Sequence, residues 1–79
     1  MEELDDFIIA WVQDRSGILV KLNDDLFDDG GIDSLLFAEL LAVLEDQFSI
    51  VISFNSIEDW TKIRSPRGLA ELCTDCKND

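Results

Sequence analysis

The chain has 79 residues with 18 acids, 6 bases and no histidine, a formal charge of −12, and 47% hydrophobic residues. That length points to one small domain, residues 1–79, and the apolar fraction argues against a disordered chain despite the charge. So negative a surface makes DNA, RNA and anionic membranes poor partners, and no apolar run approaches the roughly 20 residues of a membrane span.

The charge is unevenly placed. Residues 1–50 hold thirteen acids and two bases, Arg15 and Lys21, a balance of −11, whereas residues 51–79 hold five acids and four bases, a balance of −1. Such a surface steers in basic patches on other proteins; equally, charge of this kind can serve only to keep a soluble protein from associating. The acidic start MEELDD lacks the positive charge of a signal peptide. The expectation is therefore a cytoplasmic protein, monomeric by default.

In chain order, the first periodic segment is residues 3–15. Leu4, Phe7, Ile8, Trp11 and Val12 recur at the spacing of one helical face, and Gly17 suits a helix C-cap. Residues 17–33 have no sustained period. They carry the apolar anchors Ile18, Val20, Leu22, Leu26 and Phe27 among Asn, Asp and Gly. GILVKL could pass for a strand, but nothing elsewhere offers a partner, so a long ordered loop is expected. Loops of this length are uncommon and often functional.

Residues 34–48, SLLFAELLAVLEDQF, read as a helix without Gly or Pro. One stripe runs through Ala38, Leu41, Leu44 and Phe48 with Leu40 beside it, and Leu36, Phe37 and Val43 widen the apolar surface. Such a helix is central to the core or partly exposed for binding. SIVISFN, 49–55, is read as a connector with Ile50 and Ile52 turned inward. SIEDW, from Ser56, starts a short helix with Asp59 at capping-box spacing. Residues 65–76 form the last helix, with Ser65 as N-cap and Pro66 at its first position; Leu69, Leu72, Cys73 and Cys76 give its buried stripe. The pattern predicts an all-α, four-helix bundle: three longer helices, one short third helix, and a long ordered loop between the first two.

Cys73 and Cys76 form a C-x-x-C pair. A closed zinc site needs about four ligands, and the chain has no histidine and no third cysteine, so no metal is expected. Cys73 reads as a small core residue and Cys76 as a thiol near the end of the helix.

The stretch GGIDSL, residues 30–35, precedes the second helix. A turn at Gly30 and Gly31 with Asp33 or Ser34 as cap explains these residue types. A serine nucleophile would need a base such as histidine, which the chain lacks, so an enzyme is not expected. A different chemistry fits the position. A serine at a helix N-terminus lies beside unpaired N–H groups and the positive end of the dipole, which favour an incoming phosphate. Such a serine suits a phosphate-linked group transferred by another enzyme.

GGIDSLLFAELLAVLEDQFSIVI, in a chain of this size, acidity and helix order, resembles the acyl carrier protein family. In that family an Asp-Ser-Leu motif opens the second helix of a four-helix bundle, with an acid five residues on and then a Leu-Glu-acid-x-Phe run. Here these are Asp33-Ser34-Leu35, Glu39, and Leu44-Glu45-Asp46-Gln47-Phe48. The resemblance implies that Ser34, flanked by Asp33 and Leu35, carries 4′-phosphopantetheine installed from coenzyme A by a Mg²⁺-dependent phosphopantetheinyl transferase. Acyl or aminoacyl cargo would ride on the arm as a thioester. It also implies that Asp33, Glu39, Glu45 and Asp46 meet basic patches on a loading enzyme and on downstream biosynthetic enzymes.

Departures narrow the resemblance. Leu36 and Phe37 stand where fatty-acid carriers usually have polar residues, Ala42 where methionine is frequent, and Ser53 where proline usually follows. These point to a discrete carrier of specialised biosynthesis (polyketide or aminoacyl-loading systems). The alternatives are a D-alanyl carrier of cell-wall modification or an unmodified acidic interaction module. Leu36, Phe37 and Ala42 are then expected to contribute partner contacts.

Overall fold

The computed structural model describes residues 2–52, 57 and 60–77. They form three α-helices, α1 (Glu2–Ser16), α2 (Ser34–Phe48) and α3 (Pro66–Lys77), with a 3-10 turn at Lys62–Arg64. Each helix stops for a local reason. Gly17 takes φ +79, a left-handed conformation that glycine adopts without steric cost, and its N–H donates to the Gln13 carbonyl at 2.8 Å. Ser49 closes α2 at φ 54, donating its N–H to Glu45 O.

The four-helix expectation is corrected here. The described residues hold three α-helices and one 3-10 turn, with no fourth α-helix among them. The start expected at Ser56 lies outside the described residues. From Trp60 the chain turns into Lys62–Arg64, and Ser65 then goes extended, at φ −113 and ψ 156. Proline imposes that extension, because its ring disfavours a helical residue before it. The 3-10 turn therefore cannot run on into α3. Ser65 instead caps the new helix, its Oγ accepting the Gly68 N–H at 3.1 Å.

The core joins one stripe from each helix. Leu4, Ile8 and Val12 of α1 meet Leu40, Leu41 and Leu44 of α2 and Leu69, Ala70 and Cys73 of α3 in a single buried cluster. Phe7 and Phe48 meet edge to face at 5.4 Å across α1 and α2. Ala38, read from periodicity as part of the core stripe, is exposed.

Between α1 and α2 the loop is ordered without regular structure, and no strand forms there. Val20, Leu26 and Ile32 are buried, and a fully buried leucine such as Leu26 contributes about 1.5–3 kcal/mol. Ile18, expected as an anchor, is 41% exposed, and Ile32 buries in its place. Side-chain acceptors take over the work of a ladder. Asp25 Oδ1 accepts the N–H groups of Phe27 and Asp28 at 2.8 and 2.9 Å. Asp29 Oδ2 accepts that of Asp25 at 2.9 Å, and Asp24 Oδ2 that of Lys21 at 2.9 Å. Two backbone bonds tie the loop to the C-terminal segment: Leu26 N–H to Arg64 O at 2.6 Å, and Arg67 N–H to Leu22 O at 3.0 Å.

Candidate functional site

The loop delivers the chain to α2 through Gly31, at φ +73, and buried Ile32. Asp33 is extended and caps the helix: its Oδ1 accepts the Leu36 N–H at 2.8 Å and its carbonyl the Phe37 N–H at 2.9 Å. Of the two possible caps, then, Asp33 does the capping. Ser34 follows as the first helical residue, exposed. Its hydroxyl bonds to no described residue, and the N–H groups of Ser34 and Leu35 also remain open at the positive end of the helix.

A cleft of about 380 Å³ opens beside this serine, lined by Phe27, Ser34, Phe37, Ala38, Leu41, Trp60, Thr61 and Arg64. Its location follows from side-chain size. Ala38 stands one turn after Ser34 and leaves space that a larger residue would fill. Phe27 and Phe37 form one wall, tilted at 42° with ring centroids 5.2 Å apart. The Arg64 guanidinium lies 4.7 Å from the Phe27 ring, within reach of a cation–π attraction.

Arg64 is held in place. Its Nε donates to Asp25 Oδ2 at 2.8 Å and its Nη2 to Asp25 Oδ1 at 3.2 Å, a two-pronged pair that fixes the plane of the guanidinium. That hydrogen bond, helped by the N–H groups of Asp28 and Phe27, holds the Asp25 carboxyl below its ordinary value of 3.8 against a smaller opposing effect of desolvation. Asp28 adds a longer contact to Nη2 at 3.9 Å.

The residues expected beside the serine, Asp33 and Leu35, and those expected to meet partners separate into two groups. Leu35 is 78% exposed, and Asp33, Glu39, Ala42 and Asp46 are exposed with it. Leu36 is half-buried against the core. Phe37, expected as a partner contact, is only 7% exposed; ring burial against Phe27 makes it a wall of the cleft instead. Glu39 forms an ion pair with Arg15 at 3.5 Å, joining α2 to α1, and Arg15 also covers Trp11 at 5.0 Å. Glu45 is half-buried, and its Oε2 accepts the Ile52 N–H at 2.8 Å. It fastens the segment after α2, and only the rest of its carboxylate faces solvent.

Sequence reading missed Arg64 and Trp60 as parts of the site. The Asp25–Arg64 pair spans 39 positions and leaves no local signature. Cys73 is buried in the core, and the side chain of Cys76 lies outside the description. Among the described residues no group of His, Cys, Asp and Glu is arranged to hold a metal ion.

Comparison with known families gives one result that bears on this geometry. A family model described as "Phosphopantetheine attachment site" matches residues 6–73, a span that includes Ser34 and the lining of the cleft. No curated protein and no solved structure matches the chain.

Proposed function

Because the chain belongs to the phosphopantetheine attachment site family, whose members are non-catalytic carrier modules bearing 4′-phosphopantetheine, we propose that Ser34 is its attachment residue. The observation that carries this is the division of labour at the start of α2. Asp33 caps the helix, which leaves the Ser34 hydroxyl exposed and unclaimed. The residues present fit the group. The open N–H groups of Ser34 and Leu35 at the dipole's positive end would suit a phosphodiester on Ser34, and the cleft beside Ser34 would offer apolar walls to the arm. When bound, the arm supplies a terminal thiol that holds cargo as a thioester.

The Ser34 oxygen forms a bond to the phosphorus bearing the pantetheine. The pyrophosphate bond of coenzyme A breaks, 3′,5′-adenosine diphosphate leaves, and the serine proton passes to a base of the transferase. The chain itself offers no histidine for that step, consistent with a substrate of the transferase rather than a catalyst.

The function supported best is an acyl or aminoacyl carrier of a specialised pathway, with D-alanyl carriage as the alternative. Partner enzymes with basic patches would meet Asp33, Leu35, Glu39, Ala42 and Asp46, with Leu36 at the edge; Phe37 and Glu45 support that surface from beneath. No described helix is long and apolar enough to cross a membrane. The test is intact mass after incubation with coenzyme A, Mg²⁺ and a broad-specificity phosphopantetheinyl transferase. A gain of one phosphopantetheinyl group, lost in Ser34→Ala, is expected. A wild-type protein that stays unmodified where a control carrier is fully converted refutes the proposal.

A further inference from the structure

We infer that the cleft beside Ser34 selects uncharged, oxygen-bearing cargo, with a ketone or hydroxyl on the acyl chain, over plain alkyl or carboxylate-ended cargo, and that Arg64 is the selecting residue. The inference rests on the reading that Ser34 carries the arm. The cleft begins at Ser34 itself, so a flexible arm rooted there can fold its end back into it.

Most of the lining is apolar: Phe27, Phe37, Ala38, Leu41 and Trp60. Arg64 breaks the pattern as the one cation among the described lining residues. Asp25 occupies its Nε and Nη2, and the Phe27 ring lies against the guanidinium at 4.7 Å. Nη1 keeps two N–H donors that no described residue accepts. The Asp25 pairing fixes where those donors point, because a two-pronged bond allows little rotation.

Three cargo classes meet this donor differently. A saturated alkyl chain strips water from Nη1 and returns no acceptor, which carries the cost of an unsatisfied polar group. A ketone or hydroxyl oxygen replaces the lost water. A carboxylate could also bond, but Asp25 already neutralises Arg64, and Asp28 stands 3.9 Å from Nη2 on a chain of charge −12. A further anion is therefore repelled. Neutral oxygenated chains remain as the favoured class.

The experiment loads Ser34 with amide-stable pantetheine analogues ending in octanoyl, 3-oxooctanoyl or 7-carboxyheptanoyl groups, each verified by intact mass. Nitrogen-15 NMR then follows the Arg64 Nε–H and the Trp60 indole. The 3-oxo cargo is expected to shift both signals, with a docked-to-free ratio about tenfold above that of octanoyl, the scale of one hydrogen bond to a charged group. Arg64→Met should erase the difference, and Arg64→Lys, which loses the fork, should weaken it. The comparison among cargoes on the wild-type protein stands even if those variants fold poorly. Equal shifts for octanoyl and 3-oxooctanoyl, an equal shift from the cargo-free arm, or a larger shift from the carboxylate overturns the inference. Absence of any mass gain refutes the attachment reading instead, and with it this one.

Discussion

Asp33 and Ser34 are neighbours, and the structure gives them separable tasks. In Asp33→Ala the Leu36 N–H loses its 2.8 Å acceptor. An N-cap of this kind is worth about 0.5–2 kcal/mol, and a carboxylate at the positive helix end adds about 0.3–1 kcal/mol. A domain of 60–100 residues loses about 4–8 °C of Tm per kcal/mol, so Asp33→Ala should melt about 3–24 °C lower. Asp33→Asn keeps an acceptor and removes only the charge, and should lose less, about 1–8 °C by the same conversion. Ser34→Ala removes a hydroxyl with no bond to a described residue and should melt within about 2 °C of wild type, inside the usual range for surface changes. Because the chain carries −12, deleting any acid relieves some repulsion. Asp46→Asn, an exposed site, calibrates that relief. Thermal melts by circular dichroism at neutral pH, paired with the mass assay, read both tasks. Stability should follow residue 33 and modification should require residue 34. A Ser34→Ala melt lowered as much as that of Asp33→Ala would show that the hydroxyl belongs to the cap, and the reasoning would fail.

Three further expectations follow from the packing and the charges. Gly68→Ala would normally stabilise a helix by about 1 kcal/mol, but a Cβ at 68 would overlap the Lys62 carbonyl; a net loss of about 1–3 kcal/mol is expected from overpacking, read as a lower urea midpoint, and a raised midpoint would contradict it. Glu45→Ala removes the acceptor of the Ile52 N–H and should cost about 1–2 kcal/mol, with faster amide exchange at Ile52; unchanged exchange there would argue against the clamp. Asp25 has its folded pKa lowered by Arg64, so its contribution is complete above the unfolded value of 3.8 and is lost as pH falls through the lower folded value. The Tm gap between wild type and Asp25→Asn should therefore be widest above about pH 5, begin to narrow as pH falls through the unfolded value of 3.8, and close only below the lower folded value; a gap independent of pH would sink that assignment.

Local rules determine much of this protein independently of its packing. Residues 34–48 were legible as a helix because nothing in SLLFAELLAVLEDQF breaks one, and α2 spans those positions. Gly17 as a stop and Ser65-Pro66 as a start were legible because their effects act on adjacent bonds. The Asp33-Ser34-Leu35 motif marked the candidate site for the same reason. Only the tertiary structure decided the rest. Among the described residues, the chain just before Pro66 makes a 3-10 turn rather than an α-helix, tied by its Arg64 carbonyl to Leu26 of the distant loop. Phe37 moved from surface to cleft wall because Phe27 lies against it, and Ala38 left the core stripe because a cleft opened over it. Asp25 and Arg64 became partners across the chain. A helix signal is carried by residues a few positions apart, whereas burial and pairing depend on which distant segment arrives opposite, and no local period records that.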